Sequence, residues 1–279
     1  MQIQIGARTD VGRMRTNNED NFKLAPEIDL FVLSDGMGGE AHGEVASSLA
    51  VEGIAQHCLE SLKSPGMPLL GTERPDVTPR TNRLISALKF ANERIYQTAA
   101  KNEGQKGMGA TAVSAWVDGE RLSVAHVGDS RIYLLRAGQF SQLTQDHSLV
   151  AEQVRRGILT QQQAEESDMA SVLTRAMGVE PEVDVDADEH ILLPGDEILL
   201  CSDGLVRMVN DEEIASTLLL TPNPQEAVDR LIQMANENGG ADNITIILLR
   251  FSKKSEGIFA RIWQWLTSPV DSTSSERGN

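Results

Sequence analysis

Two segments of the chain end an apolar run with the same tripeptide, Ser-Asp-Gly. One reads FVLSDGM and the other LLCSDGL, so Asp35 and Asp203 each follow a predicted buried strand. Two further apolar runs have an acidic neighbour, with Asp129 after VAHVG and Asp242 before NITIILL. A single Asp-Gly pair is most simply a turn, because both residues favour turn conformations. Strand ends that meet at one edge of a sheet or sandwich would instead bring all four carboxylates together.

A group of four carboxylates indicates a bound cation. Ionised carboxylates repel one another unless protons or cations neutralise them. No Cys or His cluster accompanies these positions, and oxygen ligands alone favour hard ions such as Mg²⁺ or Mn²⁺. A backbone carbonyl such as that of Gly36 suits the same ions. The pattern therefore predicts a site for Mg²⁺ or Mn²⁺.

The charge balance excludes several other functions. The chain has 279 residues, with 41 Asp and Glu against 25 Lys and Arg and a formal net charge of -16. Phosphate contacts to nucleic acid need a basic surface, so we expect no nucleic-acid partner and disfavour a two-metal nuclease.

No apolar stretch approaches the ~18–20 residues of a membrane span. Cys58 and Cys201 alone form no disulfide framework, and we expect a cytoplasmic protein with reduced thiols.

Hydrophobic periodicity predicts the elements that position the acidic residues. Apolar residues at helical spacing predict helices over residues 42–61 and 82–101, with irregular, proline-rich chain over 63–81. Residues 111–143 alternate with period two between turn signals, which predicts one antiparallel meander. The remaining patterns predict strands at VDVDADEHILL and DEILLCS, helices over residues 211–220 and 224–238, and a last strand over 243–251.

This order of elements predicts one α+β domain over residues 1–252, because strands and helices are mixed and the strands carry antiparallel signals. Residues 253–279 form a C-terminal tail with a Ser-rich end that we expect to be disordered. Helical spacing in the tail predicts a short amphipathic helix at Ile258, Phe259, Ile262, Trp263 and Leu266. That helix either packs on its own domain or contacts a membrane surface or a partner protein.

Six short motifs occur along the chain in a fixed order. They are RTNNEDNF from Arg15, SDGMGG from Ser34, MGAT from Met108, VGDSR from Val127, SDGL from Ser202 and DNIT from Asp242. In these motifs residues 5–251 resemble the metal-dependent protein phosphatases of the protein phosphatase 2C type, in their bacterial form. The resemblance implies a four-layer α-β-β-α sandwich, in which helix pairs flank two antiparallel sheets. It also implies hydrolysis of phosphoserine and phosphothreonine in proteins by a metal-activated water.

The resemblance also implies a set of metal ligands, with Mn²⁺ or Mg²⁺ in two tight sites. Asp35 would bridge both metals, and the carbonyl of Gly36 would bind one of them. Asp203 and Asp242 would hold the other, and these three carboxylates are the catalytic candidates. Asp129 matches a position that, in bacterial members, helps to hold a third and weaker metal.

Three residues near the N-terminus match the family in roles outside the direct metal ligands. Arg15 would bind the substrate phosphate, since a fork-shaped guanidinium matches two phosphate oxygens better than lysine does. Glu19 and Asp20 would hold metal-bound waters. Two divalent ions lower the pKa of a water nucleophile and neutralise charge on the phosphoryl oxygens, so no phosphoenzyme is needed.

The chain also departs from the family pattern. Glu40 follows the Gly-Gly pair, where many bacterial members carry histidine, and Met37 stands where eukaryotic members carry a general-acid histidine. A metal-bound water or another group would then protonate the leaving group.

Residues 145–170 match the variable flap beside the active site. There the acidic helix end is either solvated or completes the third metal site through Glu166, Ser167 or Asp168. Cys201 lies within an apolar strand and is expected to be structural.

Three functions stay open at this stage. The first is a phosphatase that opposes a bacterial Ser/Thr kinase, acting as a monomer on phosphorylated proteins. The second keeps the fold and narrows the substrate to a phosphorylated transcription regulator. The third is a pseudophosphatase that binds phosphoproteins without catalysis. The joint presence of Arg15, Asp35, Asp203 and Asp242 disfavours the third, because a binding domain does not need a full metal set.

Overall fold

The computed structural model describes residues 1–38, 42–165 and 167–253. The strands of this part form two antiparallel sheets. In the first sheet the order is β1 (Gln2–Asp10), β11 (Ile244–Ser252), β10 (Glu197–Cys201), β7 (Arg131–Arg136) and β8 (Gln139–Gln142). In the second it is β2 (Asp20–Ala25), β3 (Leu30–Met37), β5 (Ala112–Asp118), β6 (Arg121–Val127) and β9 (Asp186–Ile191), and β4 (Gly109–Ala110) pairs with β3. The predicted tail helix, Glu40 and Glu166 fall outside the described residues.

Helices cover the outer face of each sheet. The second sheet is covered by the long helices α1 (His42–Lys63) and α2 (Pro79–Lys101). The first sheet is covered by α5 (Asp203–Val206), α6 (Asp211–Leu220) and α7 (Pro224–Glu237). Two short helices, α3 (Leu149–Arg155) and α4 (Gln161–Glu165), lie in the flap. No helix in the described ranges is long and apolar enough to cross a membrane.

Three apolar clusters fill the three interfaces between these layers. Trp116 of β5 belongs to the cluster that joins the second sheet to α1 and α2. The two faces of β11 belong to different clusters, because successive strand residues point to opposite sides. Ile247 and Leu249 lie between the sheets, whereas Ile246 and Leu248 pack against α6 and α7. The predicted four-layer α-β-β-α sandwich is confirmed.

The prediction of a single meander over residues 111–143 is wrong at its centre. Strands β5 and β6 pair in the second sheet, whereas β7 and β8 pair in the first. The chain crosses between the sheets at Gly128, whose φ of 102° lies in the left-handed region that favours glycine. A Cβ at this position would lie 2.6 Å from the Cβ of Thr111. Glycine therefore permits both the turn and the close approach, and the next residue is Asp129.

Two local boundaries also differ from the sequence prediction. Helix α2 begins at Pro79, inside the stretch predicted to be irregular, because Thr78 caps it and proline suits the first helical turn. Strand β2 was not predicted, since DNFKLA lacks clear alternation. In the flap, Thr160 and Gln163 form a reciprocal capping pair, with the Gln163 N–H donating to Thr160 Oγ1 at 3.2 Å and the Thr160 N–H donating to Gln163 Oε1 at 2.9 Å.

Candidate metal and phosphate site

The predicted acidic residues converge at one end of the sandwich. Asp35 of β3 lies directly opposite Asp20 of β2. Asp203 follows β10 and Asp242 precedes β11, and these two strands are neighbours in the other sheet. The pKa of Asp35 is raised well above its usual value, first by burial and then by the charges of Asp20, Asp203, Asp129 and Asp242. The antiparallel strand ends thus assemble one buried acidic group from both sheets.

Asp20 is the most enclosed member of the group. Its Oδ2 accepts a hydrogen bond from Ser202 Oγ at 2.8 Å, whereas its Oδ1 is buried and has no hydrogen-bond partner in the described part of the chain. Burial, together with the charges of Asp203 and Asp242, raises the pKa of Asp20 to about 7, and hydrogen bonds to Asp20 oppose that rise. A buried carboxylate without full pairing is costly, and a nearby cation relieves that cost.

Asp203 repeats this pattern on the other sheet. Its Oδ1 is also buried without a hydrogen-bond partner among the described residues. Burial raises the pKa of Asp203, and the positive charge of Arg207 opposes that rise. Unpaired carboxylate oxygens, held together in a site without sulfur ligands, suit the oxygen-only coordination of Mn²⁺ or Mg²⁺. The residues present therefore fit divalent ions.

The two Ser-Asp-Gly glycines have the same structural reason. A Cβ on Gly36 would collide with the carbonyl oxygen of Gly43 at the start of α1. A Cβ on Gly204 would collide with the carbonyl oxygen of Asn243. At each strand end the backbone beside the aspartate lies against a neighbouring segment, so only glycine fits. This explains why the tripeptide recurs at both ends of the acidic group.

Hydrogen bonds fix the backbone around Asp35. Its N–H donates to Thr111 Oγ1 at 3.0 Å, and its carbonyl oxygen accepts from the Thr111 N–H at 2.8 Å. Thr111 in turn shares a 2.7 Å hydrogen bond with the hydroxyl of Ser130. Asp35 is thereby connected to the crossing segment that carries Asp129. Thr111 is the last residue of the MGAT motif and Ser130 belongs to the VGDSR motif, so this hydrogen bond joins the two motifs.

Asn243 fixes the loop that carries Arg15, and sequence reasoning had given this residue no role. Its side-chain amide donates to the carbonyl oxygens of Val11 and Asn17 at 3.0 and 2.9 Å. Its Oδ1 accepts from the Glu19 N–H at 2.8 Å. One buried side chain therefore holds both ends of the loop. The signal in the sequence was its position beside Asp242 in the DNIT motif.

Of the N-terminal candidates, Arg15 lies at the rim of the acidic group. Arg15 pairs with Asp242, with 2.8 Å between Nη2 and Oδ2, and 56% of the Arg15 side chain stays exposed. An exposed guanidinium at the rim can meet a phosphate that arrives from solvent. Glu19 lies deeper, and its carboxylate contacts Gly43 in the first turn of α1.

Of the flap candidates, Asp168 is exposed, and Ser167 Oγ accepts from the Met169 N–H at 3.2 Å.

Arg207 was missed by the sequence reasoning. Its Nη2 lies 2.7 Å from Asp203 Oδ2 and 4.0 Å from Asp129 Oδ2. Burial, together with the charge of Asp203, raises the pKa of Asp129 to about 7, and Arg207 opposes that rise. The available signal was the spacing of four residues between Asp203 and Arg207, which places both on one face of a helical turn.

A second cluster lies beside the flap. Ligand atoms of His126, His147 and Asp186 lie within 4.8 Å of one another. Its polar atoms are nevertheless engaged, because His147 Nδ1 accepts from the Gly128 N–H at 3.0 Å and its Nε2 lies 3.2 Å from Asp186 Oδ2. The guanidinium of Arg175 also binds Asp186 at 2.6 Å. This arrangement ties the flap to β6 and β9.

His126 and Cys201 have structural roles. His126 is buried and hydrogen-bonded at 2.9 Å to the carbonyl oxygen of Gln145, and burial lowers its pKa to about 4. Cys201 is buried in the core, where burial raises the pKa of its thiol to about 12. A thiol with that pKa stays protonated at neutral pH and is a poor nucleophile. The expectation that Cys201 is structural is confirmed.

Buried carboxylates at one end of a two-sheet sandwich, with an exposed arginine at the rim, define a metal-dependent phosphate-ester hydrolase. Comparison with known proteins agrees with this class. The family model described as "Protein phosphatase 2C" matches residues 13–248. Protein phosphatase PhpP of Streptococcus pneumoniae is 34% identical over 256 residues, which cover 90% of this chain and 99% of that protein. Serine/threonine phosphatase stp of Listeria welshimeri is 36% identical over 253 residues, with 90% and 96% covered.

A solved structure is similar over the same region. The catalytic domain of the serine/threonine protein phosphatase PstP, in complex with two manganese ions, matches with a TM-score of 0.76 and 33% identity, covering 90% of this chain and 99% of that one. The chain belongs to the protein phosphatase 2C family. Its activity is the metal-dependent removal of phosphate from serine and threonine in proteins, with Mn²⁺ or Mg²⁺ as the cofactor.

Proposed function

We propose that Asp35, Gly36, Asp203 and Asp242 hold the two tightly bound ions of this phosphatase. The observation that carries the proposal is the buried acidic group, in which the mutual repulsion of carboxylates raises the pKa of Asp35 in addition to burial. The chemistry that such ions supply is activation of a water nucleophile and neutralisation of phosphoryl charge. Asp129 is proposed as a ligand of a third and weaker ion.

We propose that Arg15 binds and orients the substrate phosphate. It lies on a loop fixed by Asn243, and its guanidinium is exposed beside Asp242. The planar fork offers two parallel N–H donors to two phosphate oxygens, which fixes the phosphoryl group in one orientation. Glu19 and Asp20 lie behind the direct ligands, where they would accept hydrogen bonds from ordered water.

We propose a physiological role that is more specific than the activity of the family. The substrates are phosphorylated proteins, and we propose that the enzyme acts as a cytoplasmic monomer that reverses the work of a bacterial Ser/Thr kinase. The net charge of -16 favours phosphosites with basic flanks. A phosphorylated transcription regulator stays a second candidate substrate. We also propose residues 1–252 as the catalytic domain and 253–279 as a tail that contacts its own domain, a membrane surface or a partner.

Hydrolysis of a phosphothreonine peptide tests this proposal. Wild type is assayed with EDTA, with Mn²⁺ and with Mg²⁺, beside Asp242→Asn and a Cys201→Ser control. We expect turnover only with divalent ions, its loss in Asp242→Asn and its retention in Cys201→Ser. Wild type that binds Mn²⁺ but hydrolyses no phosphopeptide would instead support the pseudophosphatase. Loss of activity in Cys201→Ser with an intact fold would contradict the proposed site.

A further inference from the structure

Arg207 places a positive charge between two acidic residues that come from different parts of the chain. Asp203 begins α5, and Asp129 lies in the segment that crosses between the sheets. The guanidinium nitrogen Nη2 lies 2.7 Å from Asp203 Oδ2 and 4.0 Å from Asp129 Oδ2. We propose that Arg207 competes with a divalent cation for this Asp129–Asp203 pair and so sets the affinity of the weakest cation site. The inference rests on the proposed function of these carboxylates.

The competition follows from charge and distance. A guanidinium and a divalent ion repel each other when both contact the same pair of carboxylate oxygens, here Asp203 Oδ2 and Asp129 Oδ2. A divalent ion that binds Asp203 Oδ2 and Asp129 Oδ2 together therefore has to displace Arg207, whereas Asp203 Oδ1 stays available to the tightly bound ions. Binding of the divalent ion breaks the Arg207–Asp203 ion pair, and the free energy of that pair is lost from the binding free energy of the divalent ion. The consequence is a weaker site for the ion held by Asp129 than the two carboxylates alone would give.

The local structure lets Arg207 leave and return. Its backbone N–H donates to the Asp203 carbonyl oxygen at 3.0 Å, so the side chain is anchored one helical turn from its partner. About a third of the side chain, 34%, is exposed, whereas only 13% of Asp203 and 10% of Asp129 are exposed. The carboxylates are thus held in place, and the arginine can move into solvent. A tethered competitor of this kind acts at a high effective concentration.

Mn²⁺ binding without substrate tests the proposal. Free Mn²⁺ is titrated by electron paramagnetic resonance or calorimetry against wild type, Arg207→Gln and Arg207→Lys. We expect Arg207→Gln to bind the weakest Mn²⁺ at least tenfold more tightly, which corresponds to about 1.4 kcal/mol. Arg207→Lys keeps the charge and should show a smaller gain. Adding Asp129→Asn to Arg207→Gln should abolish the gain, because the competed ligand is gone.

Several outcomes would overturn the inference. Unchanged or weaker Mn²⁺ binding in Arg207→Gln would do so, as would a gain that survives Asp129→Asn. A raised KM for phosphopeptide with unchanged Mn²⁺ binding would assign Arg207 to the substrate instead. If wild type binds Mn²⁺ and turns over while Arg207→Gln binds Mn²⁺ equally, only this inference fails. If wild type binds no Mn²⁺, the proposed function fails with it. Thermal unfolding of each variant checks its fold.

Discussion

Replacing Asp20 with asparagine should stabilise the protein in EDTA, and only above acidic pH. Asp20 is buried, and its pKa is raised from 3.8 to about 7, by burial first and then by neighbouring carboxylates. The folded state therefore keeps the Asp20 proton to a higher pH than the unfolded state does. The stability that this proton supplies is complete below about pH 4 and is lost as the pH rises through about 7. Asparagine carries no such titration.

The magnitude follows from the rise of the Asp20 pKa from 3.8 to about 7. At about 1.4 kcal/mol for each unit, ionised Asp20 costs up to about 4 kcal/mol in the folded state above pH 7. For a domain of this size, each kcal/mol moves Tm by roughly 2–4 °C. The asparagine side chain can still accept the hydrogen bond from Ser202, so most of this gain should be observed. We expect no gain near pH 4 and a rise in Tm of roughly 8–16 °C at pH 8.

The assay is thermal unfolding in EDTA at pH 4.5, 6 and 8, with a repeat in excess Mn²⁺. Asp188→Asn is the matched control, because 72% of the Asp188 side chain is exposed. In Mn²⁺ the gain of Asp20→Asn should vanish, since the cations neutralise the acidic group. A Tm difference that does not change with pH, or that Asp188→Asn reproduces, would refute the assignment of Asp20 to a repulsive buried group.

Three further predictions concern the same site. Arg15→Lys should lower kcat/KM for a phosphothreonine peptide about tenfold, because lysine cannot form two parallel hydrogen bonds; equal kinetics would refute phosphate binding by Arg15. Asp129→Ala should keep two tight Mn²⁺ ions in calorimetry and lose most turnover, and unchanged turnover would count against a third ion. Gly36→Ala should cost at least about 2 kcal/mol in urea unfolding, because its Cβ collides with Gly43; a smaller loss would show that α1 can move away.

The acidic site was predictable because its signal is local. Each aspartate lies at one end of an apolar run that forms a strand. In an antiparallel sandwich the termini of the strands lie together at the two ends of the sandwich. Asp35 and Asp203 share one tripeptide, and each of its glycines lies where a Cβ would meet a neighbouring backbone. The motif order then connected these local signals to one family. Long-range geometry was needed only to bring the segments together.

Other features depend on long-range contacts that the sequence does not show. In the sequence, the segment around Gly128 resembles an ordinary hairpin turn. The sequence does not show that the chain from Asp129 to Arg131 continues into the other sheet. Arg207 looks like a solvated charge until Asp203 and Asp129 lie on either side of it. Asn243 acquires its role only when the N-terminal loop folds over it.

The most direct test of the account is Asp35→Asn, measured for Mn²⁺ stoichiometry and phosphothreonine hydrolysis in the same preparation. Asp35 lies at the centre of the buried acidic group, and four carboxylates raise its pKa in addition to burial. Asparagine keeps the size of the side chain and removes one charge. We expect a folded protein that loses tight Mn²⁺ binding and turnover together. A variant that keeps both tight ions and wild-type turnover would contradict it.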